Sequence, residues 1–534
     1  MSRQFFLRTV AVLVLALVYS IGVFSRSVWY DESITIYTIS TGVDYLTPFG
    51  LVPISEIQSF LSNTGSPASV VERLIVEDVH PPLYFVTLNI WAFLFGTSIE
   101  AARMYSVVTT LAAVGIFHRW VHVQRPELAY WLTAVFALSG LVIAVSTDAR
   151  STALVVLLAV SALHLSTTRN ADGAVKTDLR TEIWLGVAAA ALLLTHYFAA
   201  FIVVPIMFYR GLLLLSTRNK MFLLSPAIGF LLFLPWFPVF LDHLGARSEQ
   251  GNGFEGLFAW AKVLVWRTGQ LILAPSHWQY PDLIAKLGQL GVVFFAAIGA
   301  IATARSLLKA PAKWSIEAIV FFVMFVGLTL MTSLFALTDK MMSPLRYFAV
   351  FLPSVIILLL CGINTLAQVF TNRLGVGKWQ TGASVLGFAT LIAVQGSMIN
   401  LGYESNAQAS GNYLKSMAED MSARPSNESL IVVDAAVGRG DTLNVAVALP
   451  GAIDAFVLSP KSTEWRSQLN DFKTAIDGRK DVWINYSITR GVMGEDKSGL
   501  YSDFVEILEA EGFSRRDLGR SNRTLFHAVW AKTD

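Results

Sequence analysis

The chain has one cysteine and few charged residues, and each shortage excludes a class of protein. Cys361 alone cannot form an intramolecular disulfide, and it rules out a metal site built from several cysteines. Only 15% of the 534 residues are charged, whereas 54% are hydrophobic and the mean hydropathy is +0.56. Because a soluble chain of this length carries far more charge, the composition indicates a polytopic membrane protein.

A concentrated basic face is also lacking, which argues against nucleic acid as a partner. The formal net charge is +2, and proteins that bind a phosphate backbone cluster Lys and Arg on one surface. The sequence has no internal repeat, and its apolar runs contain almost no charge. Secondary transporters combine repeated halves with ionisable residues at the bilayer midplane, so a transporter or flippase is the disfavoured alternative.

Apolar runs of membrane-spanning length recur up to residue 401. The first, Phe5–Phe24, has no small-residue cleavage site after it, so we interpret it as a retained span. By apolar length, about ten more spans follow, at Met104–Phe117, Leu128–Val145, Ala153–Leu165, Ile183–Leu194, Phe198–Leu215, Phe222–Leu241, Leu287–Ala302, Ile316–Leu337, Phe348–Ala367 and Gly382–Leu401. The sequence thus predicts a transmembrane domain of about 11 α-helices over residues 1–402.

The segment Pro82–Gly96 is apolar but short. Its roughly 15 residues fall below the roughly 20 that cross the hydrocarbon at 1.5 Å per residue, and counting it as a span would invert every later loop. If it lies along the membrane surface, the first loop, residues 25–103, is external. The following basic residues then share the side of the N-terminus, as the positive-inside rule requires: Arg119, Arg125, Arg169, Lys176, Arg180, Arg218, Lys220, Arg305, Lys309, Lys313, Arg373 and Lys378.

Residues 403–534 are predicted to form one external soluble domain of ordinary size. Ser429–Asp434, Val482–Tyr486 and Thr524–Trp530 have the apolar, β-rich character of strands. Tyr501–Glu511 has helical periodicity. The pattern predicts an α/β domain.

The predicted external segments are distant in sequence but share one surface, and their polar residues are the candidate site. Asp31 and Glu32 follow the first span directly, which places two carboxylates beside the membrane. Basic residues on this face are those that the positive-inside rule disfavours, so they need an explanation. The candidates are Asp31, Glu32, His80, Arg103, Asp148, Arg150, His196, Tyr197, Lys340, Arg346 and Tyr347.

Several short strings in order along residues 1–402 carry a resemblance. They are Trp29-Tyr-Asp-Glu-Ser33, Asp78-Val-His-Pro-Pro-Leu-Tyr84, Arg103, Thr147-Asp-Ala-Arg150, Thr195-His-Tyr-Phe198 and Arg346-Tyr-Phe348. In this order and on one predicted side, they resemble the membrane glycosyltransferases of the GT-C superfamily. The similarity is greatest to family 39, the protein O-mannosyltransferase and aminoarabinose-transferase branch. The resemblance implies a sugar donor carried on a polyprenyl phosphate, and transfer on the periplasmic or lumenal face.

The resemblance also implies roles for the acidic pair. The first acidic residue of this loop activates the acceptor in the family, which maps to Asp31 as general base, with Glu32 as its neighbour in the catalytic pair. A phosphate leaving group departs without protonation, so one carboxylate suffices, whereas a glycosidase needs an acid and a base. From the residues alone, the alternative is that both acids cap an interfacial helix, because Asp and Glu favour helix N-termini.

The other candidates are predicted to bind the substrate. A guanidinium can hold two phosphate oxygens in a bidentate fork, and Arg150 and Arg346 lie on the appropriate face. The alternative is that arginines at span ends are membrane anchors. For His80 the alternative is a capping role before two prolines, and for His196 a hydrogen bond to the backbone at a turn.

The residues before the two prolines bear on whether the protein uses a metal. His80 replaces the acidic-basic pair that the aminoarabinose branch carries before its proline, so a metal role suggested by that branch does not transfer. No ligand spacing demands a metal, and a divalent metal is left open.

The expected partners are a polyprenyl-phosphate sugar, a lipid, polysaccharide or protein acceptor, and membrane lipids. The lack of a C-terminal retention signal favours the bacterial inner membrane, with the site periplasmic. A non-catalytic scaffold for envelope assembly, acting through residues 403–534, is the second alternative.

Overall fold

The chain forms two compact units in the computed structural model. The helical unit comprises Met1–Gly22, Glu77–Tyr84 and Met104–Ser405, and the α/β unit comprises Val23–Val76, Phe85–Arg103 and Asn406–Asp534. The structure describes residues 3–26, 28–40, 50–246, 257–273, 282–308, 310–337, 345–373, 380–397, 419, 421, 428–434, 439–449, 451–458, 468–487, 500–520 and 525–532.

Helices dominate the chain up to residue 397. They are α1 (Arg3–Ser25), α2 (Tyr30–Ile39), α3 (Ile54–Leu61), α4 (Pro67–Val76), α5 (Leu83–Phe95), α6 (Ile99–Gln124), α7 (Ala129–Ala137), α8 (Gly140–Ser146), α9 (Thr152–Thr167), α10 (Leu179–Thr195), α11 (Ala200–Thr217), α12 (Leu224–Phe233), α13 (Phe237–Ala246), α14 (Leu257–Ile272), α15 (Asp282–Ala304), α16 (Ile316–Leu337), α17 (Leu352–Arg373) and α18 (Gln380–Ser397). Short 3-10 turns join several of them, including Tyr197–Ala199 and Leu345–Phe351. Within the described residues, each predicted span falls on one or more consecutive helical segments, which confirms the polytopic α-helical fold; residues 398–401 of the last span lie outside the described part.

The described helices differ in whether they are long enough to cross a membrane. Six stretches are long and apolar enough: Ile99–Gln124, Tyr197–Thr217, Lys220–Gly245, Lys286–Leu308, Ile316–Leu334 and Leu345–Arg373. A seventh would combine Pro126–Ala137 with Gly140–Ser146, which are bent by 57° at the break between them. Four apolar helices are shorter: Thr9–Phe24, Leu83–Phe95, Thr152–Thr167 and Ser384–Gly396. The second of these is the predicted short helix after the two prolines, and its 13 residues are too few to cross a bilayer.

An ion pair lies fully buried between α10 and α11 of the helical unit. Arg210 Nη2 is 3.1 Å from Glu182 Oε1, and neither side chain is exposed. Ser225 Oγ donates to Glu182 Oε2 at 2.7 Å, and the Arg210 guanidinium lies 5.2 Å from the centre of the Phe222 ring. The pair is an exception to the near absence of charge that the sequence shows in its apolar runs. Because the two charges compensate each other, they can join two helices away from water.

The α/β unit contains one six-stranded sheet. Its strands are β1 (Gly50–Pro53), β2 (Ser429–Asp434), β3 (Asp454–Leu458), β4 (Asp481–Ser487), β5 (Phe513–Arg520) and β6 (Leu525–Lys532), in the order β1-β3-β2-β4-β6-β5. β2 is parallel to β3 and β4, and the other pairs are antiparallel. The unit also contains α19 (Arg439–Ala448), α20 (Gln468–Ala475) and α21 (Leu500–Ala510). The three strands and the helix expected in this region correspond to β2, β4, β6 and α21, which confirms the α/β prediction.

Apolar runs on the central strands explain the sheet's core. Phe456 of β3 and Ile484 of β4 are buried, as is Val432 of β2. Phe472 of α20 packs against Phe456 with ring centroids 5.4 Å apart, and against Phe504 of α21 at 4.5 Å. Continuous apolar runs of this kind are typical of parallel strands whose two faces are covered.

The first loop contributes an edge strand to this sheet, which the sequence does not predict. β1 pairs antiparallel with β3 over its whole length. Gln58 in α3 donates its amide N–H groups to Ala446 O and Leu449 O, at 2.9 and 2.8 Å, where α19 ends. Helix α2, which carries Asp31, packs against α19. The loop that follows the first span therefore folds together with the C-terminal residues.

Candidate active site

Two loops of the helical unit bring together Asp78, His80 and Arg150. His80 Nδ1 lies 2.6 Å from Asp78 Oδ1, and His80 Nε2 lies 3.2 Å from Arg150 Nη2. Because a guanidinium can only donate, His80 Nε2 accepts from Arg150, and the Nδ1–H donates to the Asp78 carboxylate. Asp78 and Arg150 therefore hold the His80 ring from both sides.

Asp78 is ionised in this arrangement. Burial opposes its charge, but the attraction and hydrogen bond of His80, the Val79 N–H at 2.6 Å and the charge of Arg150 outweigh that cost. Together they hold the pKa of Asp78 well below its usual range. The carboxylate therefore fixes the tautomer and the orientation of the His80 ring, as carboxylate partners of histidine do.

Arg150 reaches this cluster from the turn that follows α8. The Arg150 N–H donates to Asp148 O at 2.8 Å, and Ser106 Oγ donates to the same oxygen at 2.6 Å. Arg150 is only 7% exposed. Asp148 thus contributes to the site through its backbone oxygen, which shapes the turn that directs the guanidinium of Arg150 to His80.

His196 and Tyr347 lie next to these residues. The His196 ring centroid is 6.5 Å from that of His80 and 6.0 Å from that of Tyr347. His196 Nδ1 accepts the Phe198 N–H at 3.2 Å, which is a capping contact at the turn and places the proton of a neutral ring on Nε2. The Arg346 guanidinium carbon lies 5.6 Å from the centre of the Tyr347 ring.

Residues predicted from four separate motifs are therefore neighbours in the helical unit. We call this group the basic cluster and define it as Asp78, His80, Arg150, His196, Arg346 and Tyr347. Asp78 lies in the string Asp78–Tyr84 that carries the resemblance, which already suggests that it faces the site with His80. The Asp-x-His spacing lets this carboxylate reach the imidazole two residues on.

Tyr197 belongs to a different group of side chains. Its hydroxyl accepts from Trp236 Nε1 at 3.0 Å and donates to His243 Nδ1 at 2.9 Å. Its ring packs against Phe240 with centroids 4.9 Å apart. These contacts join the 3-10 turn at Tyr197 to α13, and the substrate-binding role of Tyr197 stays a prediction.

In the α/β unit, Glu32 forms a bidentate ion pair with Arg103. Arg103 Nε is 2.8 Å from Glu32 Oε1 and Arg103 Nη2 is 2.7 Å from Glu32 Oε2, with 1% and 0% of the two side chains exposed. Arg103 Nη1 also donates to Val23 O and Arg26 O, both at 2.9 Å. The Trp29 N–H donates to Glu32 Oε2 at 3.3 Å, so the capping alternative describes Glu32.

The catalytic role of Glu32 and the substrate-binding role of Arg103 stay predictions, and the contacts of both residues give them a structural role as well. A buried carboxylate whose two oxygens accept from one guanidinium is strongly held in its ionised form and is a poor proton acceptor. A fully buried arginine that also donates to two carbonyl groups holds the chain around it. Both residues therefore fix the start of α2.

Asp31 lies in the first turn of α2 and is partly exposed. At the other end of this helix, Arg73 Nη1 donates to the carbonyl oxygens of Tyr37 and Ser40, and Arg73 is only 1% exposed. Helix α2 is thus held at both ends by buried arginines, which fixes the position of the Asp31 backbone within the α/β unit. Nothing in the sequence distinguishes Arg73, which lies 36 residues from Tyr37, from an ordinary surface arginine.

Lys340 lies outside the described residues. Among those that are described, no three or more His, Cys, Asp or Glu side chains are grouped so that they could hold a metal ion. Asp78 and His80 supply two ligating groups, fewer than such a group needs.

No protein-family model and no curated protein matches the sequence, but solved structures match the fold. ArnT from Cupriavidus metallidurans in the apo state superposes with a TM-score of 0.50 at 12% identity, over 99% of this chain and 98% of that chain. The same protein bound to undecaprenyl phosphate gives 0.47 at 13% identity, over 98% and 97% of the two chains. The archaeal oligosaccharyltransferase AglB from Archaeoglobus fulgidus, in complex with an inhibitory peptide and a dolichol-phosphate, gives 0.44 at 12% identity, over 99% and 74%. The chain therefore has a fold similar to that of ArnT from Cupriavidus metallidurans.

Proposed function

We propose that the protein is a membrane glycosyltransferase that moves a sugar from a polyprenyl phosphate to an acceptor. The supporting observation is the basic cluster, in which the buried guanidinium of Arg150 contacts the imidazole of His80 in a fold like that of ArnT. The ligand that suits this cluster is the donor phosphate, because guanidinium groups bind phosphate oxygens through bidentate, charge-assisted hydrogen bonds.

In this proposal the basic cluster stabilises the leaving group. Arg150 and Arg346 offset the negative charge that develops as the sugar leaves the phosphate, and preorganised charges in a site shielded from water are the most effective way to do so. Lys340, which lies outside the described residues, stays a predicted phosphate ligand. Asp78 and His80 hold Arg150 in place, and Tyr347 and His196 line the same cluster.

Asp31 is the proposed general base. The acceptor oxygen forms a bond to the anomeric carbon while the bond from that carbon to the phosphate oxygen breaks. The electron pair of the broken bond leaves with the polyprenyl phosphate, and the acceptor's hydroxyl proton passes to Asp31. Glu32 and Arg103 act as positioning residues, because their side chains are used in holding α2. A single displacement inverts the anomeric centre, so a β-linked donor would give an α-linked product.

The substrates are proposed as classes. The donor carries a hexose or pentose, mannose-like or other, on a polyprenyl phosphate, and the acceptor is a lipid, a polysaccharide or a protein. The reaction is placed at the periplasmic face of a bacterial inner membrane, in accordance with the one-sided distribution of Lys and Arg in the sequence. Family 39 remains the proposed branch.

The test uses the full-length protein in lipid nanodiscs. Purified protein is incubated with labelled undecaprenyl-phosphate sugars and a panel of lipid, polysaccharide and peptide acceptors, and binding of undecaprenyl phosphate is measured in parallel. We expect transfer with at least one donor, release of the polyprenyl phosphate, and weaker phosphate binding in Arg150→Lys than in Arg305→Lys, which changes an exposed arginine.

Two outcomes would overturn the proposal. Binding of undecaprenyl phosphate without transfer to any acceptor, together with movement of the lipid across a liposome bilayer, would indicate a flippase. If the wild type neither binds undecaprenyl phosphate nor transfers sugar, the result would indicate a scaffold.

A further inference from the structure

The span formed by α7 and α8 breaks beside two carbonyl groups that side chains from distant helices satisfy. Helix α7 ends at Ala137, and α8 begins three residues later at Gly140. Tyr19 of α1 donates its hydroxyl to Ala137 O at 2.8 Å, and Gln395 of α18 donates to Val135 O at 3.0 Å. Tyr19 is 0% exposed and Gln395 is 2% exposed, so both bonds are shielded from water.

Gln395 also serves a second helix end. Its amide donates to Ile272 O, the last residue of α14, at 3.1 Å. Only the NH2 group of a glutamine can satisfy two carbonyl oxygens, so this network fixes the orientation of the amide. A helix that breaks in an apolar layer frees carbonyl groups that lipid cannot hydrogen-bond, and the break persists where other side chains take them up. The bend of this span therefore depends on α1 and α18.

The same break determines where the Arg150 turn lies. Helix α8 is only seven residues long, and the turn that carries Asp148 and Arg150 follows its last residue, Ser146. α8 packs against α14 and against the 3-10 segment that carries Arg346. A change in the 57° bend would therefore displace the Arg150 guanidinium from its position 3.2 Å from His80.

We propose that Tyr19 and Gln395 are positioning residues for the transfer reaction, because they hold the break in the span and so place Arg150 against His80 and the donor phosphate. They act through Arg150, and this inference rests on the proposed function of the basic cluster. Their role is distinct from that of the residues that hold α2, because it concerns the phosphate rather than the general base.

The test is a double-mutant cycle in the full-length protein in nanodiscs. Tyr19→Phe, which removes one hydroxyl, is combined with Arg150→Lys, and kcat, KM and the affinity for undecaprenyl phosphate are measured for all four forms. In the protein that retains Arg150, Tyr19→Phe should lower kcat/KM and the affinity for undecaprenyl phosphate on the order of tenfold. In the protein that carries Arg150→Lys, the effect of Tyr19→Phe should largely disappear. Gln395→Met should behave in the same way.

Tyr209→Phe is the matched control. Tyr209 is also a buried tyrosine of the helical unit, and its hydroxyl donates to Pro311 O at 3.2 Å, away from the break. We expect its effect to be small and independent of Arg150. Equal losses from Tyr19→Phe in both backgrounds, or a loss from Tyr209→Phe of the same size, would overturn the positioning role.

Hydrogen exchange separates this inference from the proposed function. Peptides covering residues 147–151 should exchange faster in Tyr19→Phe and Gln395→Met than in the wild type or Tyr209→Phe, because the Arg150 N–H loses its fixed turn. If the wild type neither binds the lipid phosphate nor transfers sugar, the proposed function fails while this readout still decides the role of the break. Unchanged hydrogen exchange at residues 147–151 in Tyr19→Phe and Gln395→Met would contradict the positioning role.

Discussion

Arg103 holds both carboxylate oxygens of Glu32, at 2.8 and 2.7 Å, in an ion pair that is almost entirely shielded from solvent. Asp31, one residue earlier in the same helical turn, remains partly exposed. The two neighbouring carboxylates therefore have different environments, and such a difference usually separates a structural group from a reactive one. This relationship motivates the assignment of Asp31, and not Glu32, as the proposed general base.

Removing one member of the Glu32–Arg103 pair should destabilise the protein strongly. Glu32→Gln leaves a buried guanidinium without its counter-charge, so we expect a loss on the order of 3 to 5 kcal/mol in the free energy of unfolding. The double variant Glu32→Gln/Arg103→Met should recover part of that loss. Thermal unfolding of the purified protein in detergent measures these effects.

The control for this prediction is an exposed ion pair of the same unit. Lys473 Nζ lies 3.0 Å from Glu511 Oε1, with 61% and 36% of the side chains exposed. Glu511→Gln should change the stability by less than about 1 kcal/mol, because water screens such pairs. A similar small effect for Glu32→Gln would mean that Arg103 does not hold α2.

Replacing Arg150 or Arg346 by Lys should weaken the proposed grip on phosphate. Lysine keeps the charge but loses the bidentate fork, so kcat/KM for the polyprenyl-phosphate sugar should fall on the order of tenfold or more. Steady-state kinetics with labelled donor test this, with Arg305→Lys as the exposed control. Wild-type rates and donor affinity in both variants would return the two arginines to the role of membrane anchors.

The predicted topology can be tested with single cysteines in a Cys361→Ser background. Asn63→Cys in the first loop and Glu506→Cys in α21 should react with an impermeant thiol reagent in spheroplasts, and Ala171→Cys should not. All three positions are exposed. Gly65 is unsuitable, because a Cβ there would lie 2.8 Å from Ser40 O, and so is Gly173, whose φ is +81°. Labelling of Ala171→Cys alone would reverse the predicted orientation.

Much of the helical fold could be predicted from apolar length, because a span must satisfy its backbone internally whatever surrounds it. The break in the predicted span Leu128–Val145 is different. The pair Ser139-Gly140 is a known cause of helix kinks and could have indicated it. The partners of the freed carbonyl groups could not be predicted, since Tyr19 and Gln395 are more than a hundred residues away in sequence.

In the candidate site, too, short motifs could be predicted from the sequence, whereas contacts between residues far apart in the chain could not. Motif order identified His80, Arg150, His196, Arg346 and Tyr347, and the structure brings His80, Arg150, His196 and Tyr347 together, with Arg346 directly before Tyr347. Single-sequence patterns carry no signal for pairs that are far apart in the chain. The pairing of Glu32 with Arg103, the support of α2 by Arg73 and the addition of β1 to the C-terminal sheet are therefore visible only in the folded chain.

Asp31→Asn tests the central proposal most directly, because it keeps the size and most hydrogen bonds of the side chain but removes the base. The variant is compared with Glu56→Gln, which alters an exposed acid in the first turn of α3 in the same unit. Both proteins are assayed at matched concentration for melting temperature, binding of undecaprenyl phosphate and transfer from a labelled lipid-linked sugar. For Asp31→Asn we expect wild-type melting and lipid binding, with kcat reduced roughly 10²- to 10⁴-fold, whereas Glu56→Gln should match the wild type. Near-normal kcat in Asp31→Asn would contradict the assignment of Asp31 as the general base.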